Sequence, residues 1–373
     1  MYKFKDIIEE VEERNTDLRY GLDDIVGVTI EKGLIPTIAN LVQTSLDKFY
    51  IVKSEIFVYN PRTHGVRLGM GFNNTTNIYI TSWNNVAFRV KKEAQNIVIP
   101  HYLWLYFCRP IWDRLTNFLA WGSSTIVFAW KDFLNIDIDL PSIERQREIV
   151  EEYETLTNRI RLNEQMIQKL EATAQALYRK TFVDNIDKEN LPEGWRIGTL
   201  GEVAYYVDEK MSLSDIDESA YIATENMLKD KKGIIISTNK PEEGRGTRFT
   251  IDDVLVSNIR PYFKKIWRAS FNGVSSNDVL CFRAQNEYNA SMLYYTIEQD
   301  GFFDYVMAGS NGVKMPRGDK KWIMNYPVII PSKNGVKEYE KATTCIHIQS
   351  VCRKQENEKL TELQSLLLAK MGQ

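Results

Sequence analysis

Phe133-Leu-Asn-Ile-Asp-Ile-Asp-Leu-Pro-Ser142 and Ile323-Met-Asn-Tyr-Pro-Val-Ile-Ile-Pro-Ser332 are one stretch written twice, 190 residues apart. The apolar end of each, running into Pro-Ser, reads as a strand closing a globular domain, and each is followed by a charged helical pattern. The same offset pairs Lys169-Leu170 with Lys359-Leu360, Leu177 with Leu367 and Lys180 with Lys370. Upstream it pairs Leu103-Trp104 with Leu293-Tyr294, and with a small shift Ser82–Arg89 matches Ser276–Arg283. Matches that keep their order over most of each half point to an internal duplication.

The stretch after Ser142 decides what joins the copies. Ile149, Tyr153, Leu156, Ile160, Asn163, Ile167, Leu170, Ala174 and Leu177 alternate spacings of four and three, with charges between them. That is a heptad seam, and it predicts a helix from Glu144 to about Thr181, roughly 55 Å long at 1.5 Å per residue. Asn163 inside the seam lowers stability but can fix register and partner number. A second helix, from about Gly335 to Met371, has a more polar seam: Tyr339, Thr343, Ile346, Ser350, Arg353, Asn357, Leu360, Gln364 and Leu367. It suits pairing with the first helix, with Ile346, Leu360 and Leu367 as its apolar positions. Symmetry between the copies makes that pairing antiparallel. The expected fold class is α+β: two mixed α/β domains separated by two long helices in an antiparallel coiled coil, repeated internally. The expected boundaries are residues 1–143, 144–184, 185–333 and 334–373. Residues 184–195, polar with Pro192 and Gly194, read as a linker ending at Trp195, which is expected to cap the second core.

The chain has 373 residues, 43% of them hydrophobic and 12% aromatic, enough for two packed cores. No apolar run is long enough to span a bilayer, and Met1–Tyr20 lacks the apolar segment of a signal peptide. Cys108, Cys281, Cys345 and Cys352 form no CxxC and no metal-ligand spacing with the three histidines. A reduced, cytoplasmic protein without a metal site is expected.

No catalytic constellation emerges. Gly69-Met-Gly71 and Gly244-Arg-Gly246 lack the helical pattern that follows a phosphate loop. Asn258-Ile-Arg-Pro-Tyr262 resembles the Asn-Pro-Pro-Tyr motif of amino-methyltransferases only superficially, because Ile and Arg replace the residues of its tight turn. No nucleophile–base arrangement stands out. An unrecognised methyltransferase or nuclease is the alternative, and a coiled-coil scaffold without a DNA role is a third reading.

A net charge of −3 hides a local imbalance. Between residues 260 and 283, Arg260, Lys264, Lys265, Arg268 and Arg283 face Asp278 alone, a local net of +4, with Tyr262, Phe263 and Trp267 interleaved. Lys314, Arg317, Lys320 and Lys321 form a second cluster opposed by Asp319. In the first half, Arg62, His64 and Arg67 precede Asn73-Asn74-Thr-Thr-Asn77. Such stretches suit phosphate contact by Lys and Arg and base-edge contact by Arg and Asn. The candidate DNA-binding residues are Arg62, Arg67, Asn73, Asn74, Arg245, Arg260, Tyr262, Lys264, Lys265, Arg268, Lys314 and Arg317. A solvated surface is the bland alternative for each cluster. The low overall basicity suggests that another chain supplies much of the phosphate attraction.

These pieces resemble the specificity subunits of type I restriction–modification enzymes. Leu140-Pro-Ser-Ile-Glu-Arg-Gln-Arg-Glu-Ile-Val150, Leu162–Glu171 and Ala176–Phe182 are similar to that family's central helical region. Leu191-Pro-Glu-Gly-Trp195 with Leu200-Gly-Glu-Val203 resembles the start of its second recognition domain. Val256-Ser-Asn-Ile-Arg-Pro-Tyr262 and Ser275–Leu280 resemble the interior. The first forty residues depart from the pattern, with Leu22-Asp-Asp-Ile25 the nearest match to the start motif. The resemblance implies two target-recognition domains, each reading half of a bipartite double-stranded DNA target, with the helices as a spacer. It also implies docking of methyltransferase and restriction subunits. Those partners would carry S-adenosylmethionine, Mg2+ and ATP, leaving this chain without a cofactor and without catalysis.

Overall fold

A computed structural model describes residues 1–37, 44–63, 67–120, 126–184, 186–285, 288, 290–312 and 314–371. The chain divides into two compact units, one of residues 1–163 with 355–373 and one of residues 164–354. The first unit is built on a four-stranded antiparallel sheet of β1 (Ile8–Glu10), β2 (Phe57–Tyr59), β3 (Met70–Phe72) and β4 (Val86–Val90), ordered β1-β4-β2-β3. Its strands are short and rich in aromatic and β-branched residues, which fit a pleated, buried surface. Phe57 stacks on Phe72 at 4.5 Å and on Phe88 at 5.0 Å across neighbouring strands. Helices Pro100–Cys108, Pro110–Ala120 and Trp130–Asn135 close over this face, and Phe107, Trp112 and Phe133 fill the space between. Pro100 and Pro110 stand at helix starts, where no backbone N–H is needed.

The second unit repeats the plan. Strands β5 (Ala204–Tyr206), β6 (Val254–Ser257), β7 (Ile266–Arg268) and β8 (Val279–Ala284) are ordered β5-β8-β6-β7, the same permutation. Helices at Ala290–Glu298, Asp300–Ala308 and Lys320–Met324 start 190 residues after their counterparts at Pro100, Pro110 and Trp130. A closing strand ends each globular part. Asp137–Ile138 pairs with Tyr2–Lys3, and Pro327–Ile330 pairs with Arg196–Thr199.

The start of the first copy lies earlier than Leu22. Leu22–Asp24 is only a single 3-10 turn. The counterpart of the one-turn helix Leu200–Val203 is Phe4–Ile7, which likewise leads into the first sheet strand. Both turns are capped alike: Asp6 accepts from the Lys3 N–H at 3.0 Å, and Glu202 accepts from the Thr199 N–H at 2.8 Å. Both bury their first and last residues, Phe4 with Ile7 and Leu200 with Val203. Phe4-Lys-Asp-Ile7 escapes a search for Leu-Gly-Glu-Val because only the burial pattern and the capping acid are shared.

The long helices are α1 (Ile143–Phe182, 40 residues) and α2 (Lys333–Lys370, 38 residues). In the first unit, Arg159 meets Glu356 at 2.7 Å, Asn163 donates to Asn357 at 2.9 Å, and Gln364 donates to Thr157 at 2.7 Å. In the second, Lys354 meets Glu171 at 2.9 Å, and the ring of Tyr339 packs on Tyr178 and Phe182. Rising numbers on α1 meet falling numbers on α2, so the helices are antiparallel. On α1, Ile149, Asn163, Ile167 and Ala174 are buried, while Tyr153, Leu156, Ile160, Leu170 and Leu177 are half-buried. Ile346, Leu360 and Leu367 of α2 are half-buried as well.

Trp195 does not cap the second sheet's core. Its ring lies 5.5 Å from that of Phe182, in the aromatic cluster of Tyr178, Tyr295 and Tyr339 where the helices meet the globular part. The linker before it leaves α1 and turns at Gly194 (φ 76°), a conformation that suits glycine. Residue 185 of that linker lies outside the described residues.

Candidate nucleic-acid interface

The basic stretch of the second unit is not one surface. Folding divides it between internal bracing and outward display. Arg268, on β7, donates to Asp252 at 2.9 Å and to the Ser291 hydroxyl at 2.8 Å, and its Nη2 lies 3.4 Å from the His347 ring on α2. Arg283, on β8, donates twice to buried Asp253 at 2.7 Å. Lys265 donates to the Thr224 carbonyl at 2.6 Å, and burial followed by Lys229 lowers its pKa. Lys264 meets Asp300 at 2.8 Å, and Lys231 reaches the same carboxylate oxygen at 2.9 Å. These two hydrogen bonds bring Asp300 down to about 2. Arg268 is therefore a structural tie, and Lys264 and Lys265 brace a turn.

That turn is unusual. Arg260 (φ 50°) and Lys264 (φ 49°) are both left-handed and flank a 3-10 turn over Pro261–Phe263. Facing it, Asp230 (φ 56°) and Lys231 (φ 62°) are left-handed too. Their N–H groups donate to the carbonyls of Phe263 and Lys264 at 2.9 and 3.0 Å. Four non-glycine residues in this region hold a strained form only because the surroundings over-determine it. The result displays Tyr262, 47% exposed. The Arg260 N–H donates to the Pro316 carbonyl at 2.9 Å, and Ile259 pairs with Arg317. The turn and the Ser310–Gly318 hairpin are thus joined, and Arg260, Tyr262 and Arg317 come together with exposed Lys314 nearby in the hairpin. Arg317 leans on Asp278 at 3.1 Å, and the Nε of Arg260 is buried without a hydrogen-bond partner.

Lys210, which sequence spacing does not single out, belongs beside this group. It donates to Thr247 at 2.9 Å and to Asn277 at 2.7 Å, next to Asp278. Burial first, and then Lys320, lowers its pKa. Exposed Arg245 donates to the Lys210 carbonyl at 3.1 Å. Gly246 lets its own strand close up on the neighbouring strand Gly273–Ser275, since a Cβ there would run into the Ser275 carbonyl and the Val274 side chain. The Gly244-Arg-Gly246 piece is accordingly a strand start and not a cofactor loop. Only the pairing of Lys210–Ser212 with Arg245–Phe249 brings Lys210 here.

In the first unit Arg62, Arg67 and Asn74 are exposed. Asn73 is not available: it is buried, and its amide donates to the carbonyls of Val52 at 3.0 Å and Asn77 at 2.8 Å. Its oxygen accepts from the Thr75 N–H at 3.0 Å and hydroxyl at 2.7 Å. Asn73 builds the turn that displays Asn74. His64 lies outside the described residues.

Among the described residues no group of histidine, cysteine or acidic side chains could hold a metal ion, and no helix is long and apolar enough to cross a membrane. Cys108 and Cys281 are pushed up by burial, Cys108 to about 12, so neither thiol is activated.

Residues 14–172 match the family model of the type I restriction modification DNA specificity domain. No curated protein matches the sequence. A solved chain from work on complex assembly and conformational transition of the type I R-M system aligns over 99% of this chain and 96% of its own, at 16% identity and a TM-score of 0.50. The type I restriction-modification S subunit from M. genitalium aligns over 99% and 95%, at 14% identity and a TM-score of 0.52. The HsdS subunit from Thermoanaerobacter tengcongensis aligns over 99% and 95%, at 19% identity and a TM-score of 0.37. At such identities the likeness to solved chains is one of fold. Residues 14–172 are thereby similar to a type I restriction modification DNA specificity domain, and the chain along its length has the fold of an S subunit.

Proposed function

We propose that this chain selects the DNA target of a type I restriction–modification enzyme, each unit reading one half of a bipartite site. The observation that carries the reading is the repetition of one folding plan, with the same strand order and helix spacing, each copy bearing its own exposed polar loops. In the second unit the reading surface is Arg260, Tyr262, Lys314 and Arg317, with Lys210, Arg245 and Lys320 beside it. In the first it is Arg62, Arg67 and Asn74. The paired helices space the readers and dock methyltransferase and restriction subunits. Those subunits hold S-adenosylmethionine, Mg2+ and ATP and perform methylation, translocation and cleavage, so this chain is non-catalytic and works in the cytoplasm.

The test is an exchange of residues 195–332 for the equivalent segment of another specificity subunit. Methylated adenines are then mapped in cells that also carry the partner subunits. One half of the target is expected to change while the other is kept. Changes in both halves, or in neither, would overturn the assignment of one reader per unit.

A further inference from the structure

The first unit contains a cleft that the DNA-reading surface does not use. It lies between helices Pro100–Cys108 and Pro110–Ala120, the first turns of α1 and the last turns of α2, with a volume of about 1030 Å3. Arg109, at the junction of the two short helices, lines it and is only 6% exposed. Its Nε donates to the Tyr106 carbonyl at 3.2 Å, and its guanidinium lies 3.7 Å from the Tyr106 ring centre. Among the described residues its two Nη groups have no acceptor and no carboxylate partner. A buried guanidinium is ordinarily paired, because removing its charge from water is costly.

Charge on the walls points the same way. Arg114 and Lys370 also line the cleft and make no ion pair among the described residues. Arg145 is taken up by Glu148 at 2.8 Å and Glu152 at 3.8 Å, and Asp139 faces the terminal amine of Met1 at 4.0 Å. Three cations are left without a carboxylate partner among the described residues, and one of them is fixed by stacking on Tyr106. A planar guanidinium with two free donors suits a multiply charged tetrahedral oxyanion, and the two outer cations suit a second negative group.

We infer that this cleft binds a phosphate-bearing ligand through Arg109, with Arg114 and Lys370 assisting. The ligand is either a small molecule carrying adjacent phosphates or a backbone phosphate of DNA. The inference is independent of the reading surface proposed above.

Pyrophosphate is the probe. Titrated calorimetrically into the full chain at low ionic strength, it should bind saturably at one site. Arg109→Gln should abolish binding. The surface double variant Arg114→Gln plus Lys370→Gln, which disturbs no buried group, should weaken it by at least tenfold. Absence of saturable binding, or equal affinity in the surface variant, would overturn the assignment whether or not Arg109→Gln folds. A non-specific duplex then separates the two sources: displacement of pyrophosphate by duplex assigns the site to a backbone phosphate, and simultaneous binding assigns it to a small ligand. A domain exchange that changes both halves of the target or neither, with pyrophosphate binding intact, would count against the proposed readers alone.

Discussion

At the scale of single residues, nearness in sequence and nearness on the surface part company. Arg260, Lys264, Lys265 and Arg268 form one run, yet Arg268 ties β7 to α2 while Arg260 joins a hairpin more than fifty residues downstream. Charge density along the chain marks where cations are, but carboxylates remote in sequence, such as Asp252 and Asp300, decide which stay free. Mutating Lys264 and Lys265 together would therefore disturb the turn as well as any phosphate contact. Lys314→Ala with Lys320→Ala removes exposed cations that brace little. Together they should reduce the slope of log affinity against log salt by up to about two, roughly 0.9 for each phosphate no longer neutralised. An unchanged slope with the fold intact would remove both from the interface.

Glu298 gives a residue-scale prediction in pH. Burial lifts its carboxyl to about 6, opposed by Lys231 and reinforced by Glu171. Gln175 donates to it at 3.3 Å. A folded-state pKa above the unfolded value means that the folded state holds the proton more tightly. The resulting stabilisation is full below the unfolded pKa and is lost as pH rises through about 6. Glu298→Gln should flatten this part of the stability curve and stabilise the second unit by about 1–2 kcal/mol at neutral pH. Urea midpoints at pH 5 and pH 7.5 decide it: an equal change at both would deny Glu298 its role.

At the scale of elements, the helices were legible and the strands less so. The seam of α1 and the 190-residue offset point to two long helices, and the short helices of the copies start at that offset. The sheet strands drift from it, because Phe57–Tyr59 corresponds to Val254–Ser257 and Val86–Val90 to Val279–Ala284. Loops of unequal length between strands erase a fixed spacing while the sheet order survives. The polar middle of α2, which looks weak by itself, acquires a purpose in the pair: Asn357 accepts from Asn163. Asn163→Ala alone leaves Asn357 without that partner and should cost about 1–3 kcal/mol. Leucine at both positions should recover or exceed the original stability while loosening register. Thermal denaturation of the single and double variants distinguishes this from simple loss of packing, in which the double variant would be the less stable.

At the scale of the whole molecule, duplication makes each long helix a stand-in for the other. By the 190-residue offset, Asn357 of α2 is the counterpart of Ile167 of α1. Residues 1–184 alone would keep one globular part and all of α1, but would be without the α2 residues that cover it, including buried Leu368 in the core of the first unit. Two such half-chains should pair α1 with α1, antiparallel, since each offers the apolar seam that α2 normally meets. In that homodimer Asn163 faces Ile167 in place of an asparagine, so a buried amide is without its partner at both symmetric positions. The half-chain should therefore dimerise weakly, and Asn163→Leu should tighten the dimer by at least tenfold while the same change in the full chain is destabilising. Equilibrium sedimentation of the half-chain with and without the substitution measures this directly. A monomer in both forms would show that α1 and α2 have diverged beyond exchange, and an equally tight dimer in both would show that the amide pair does not choose the partner.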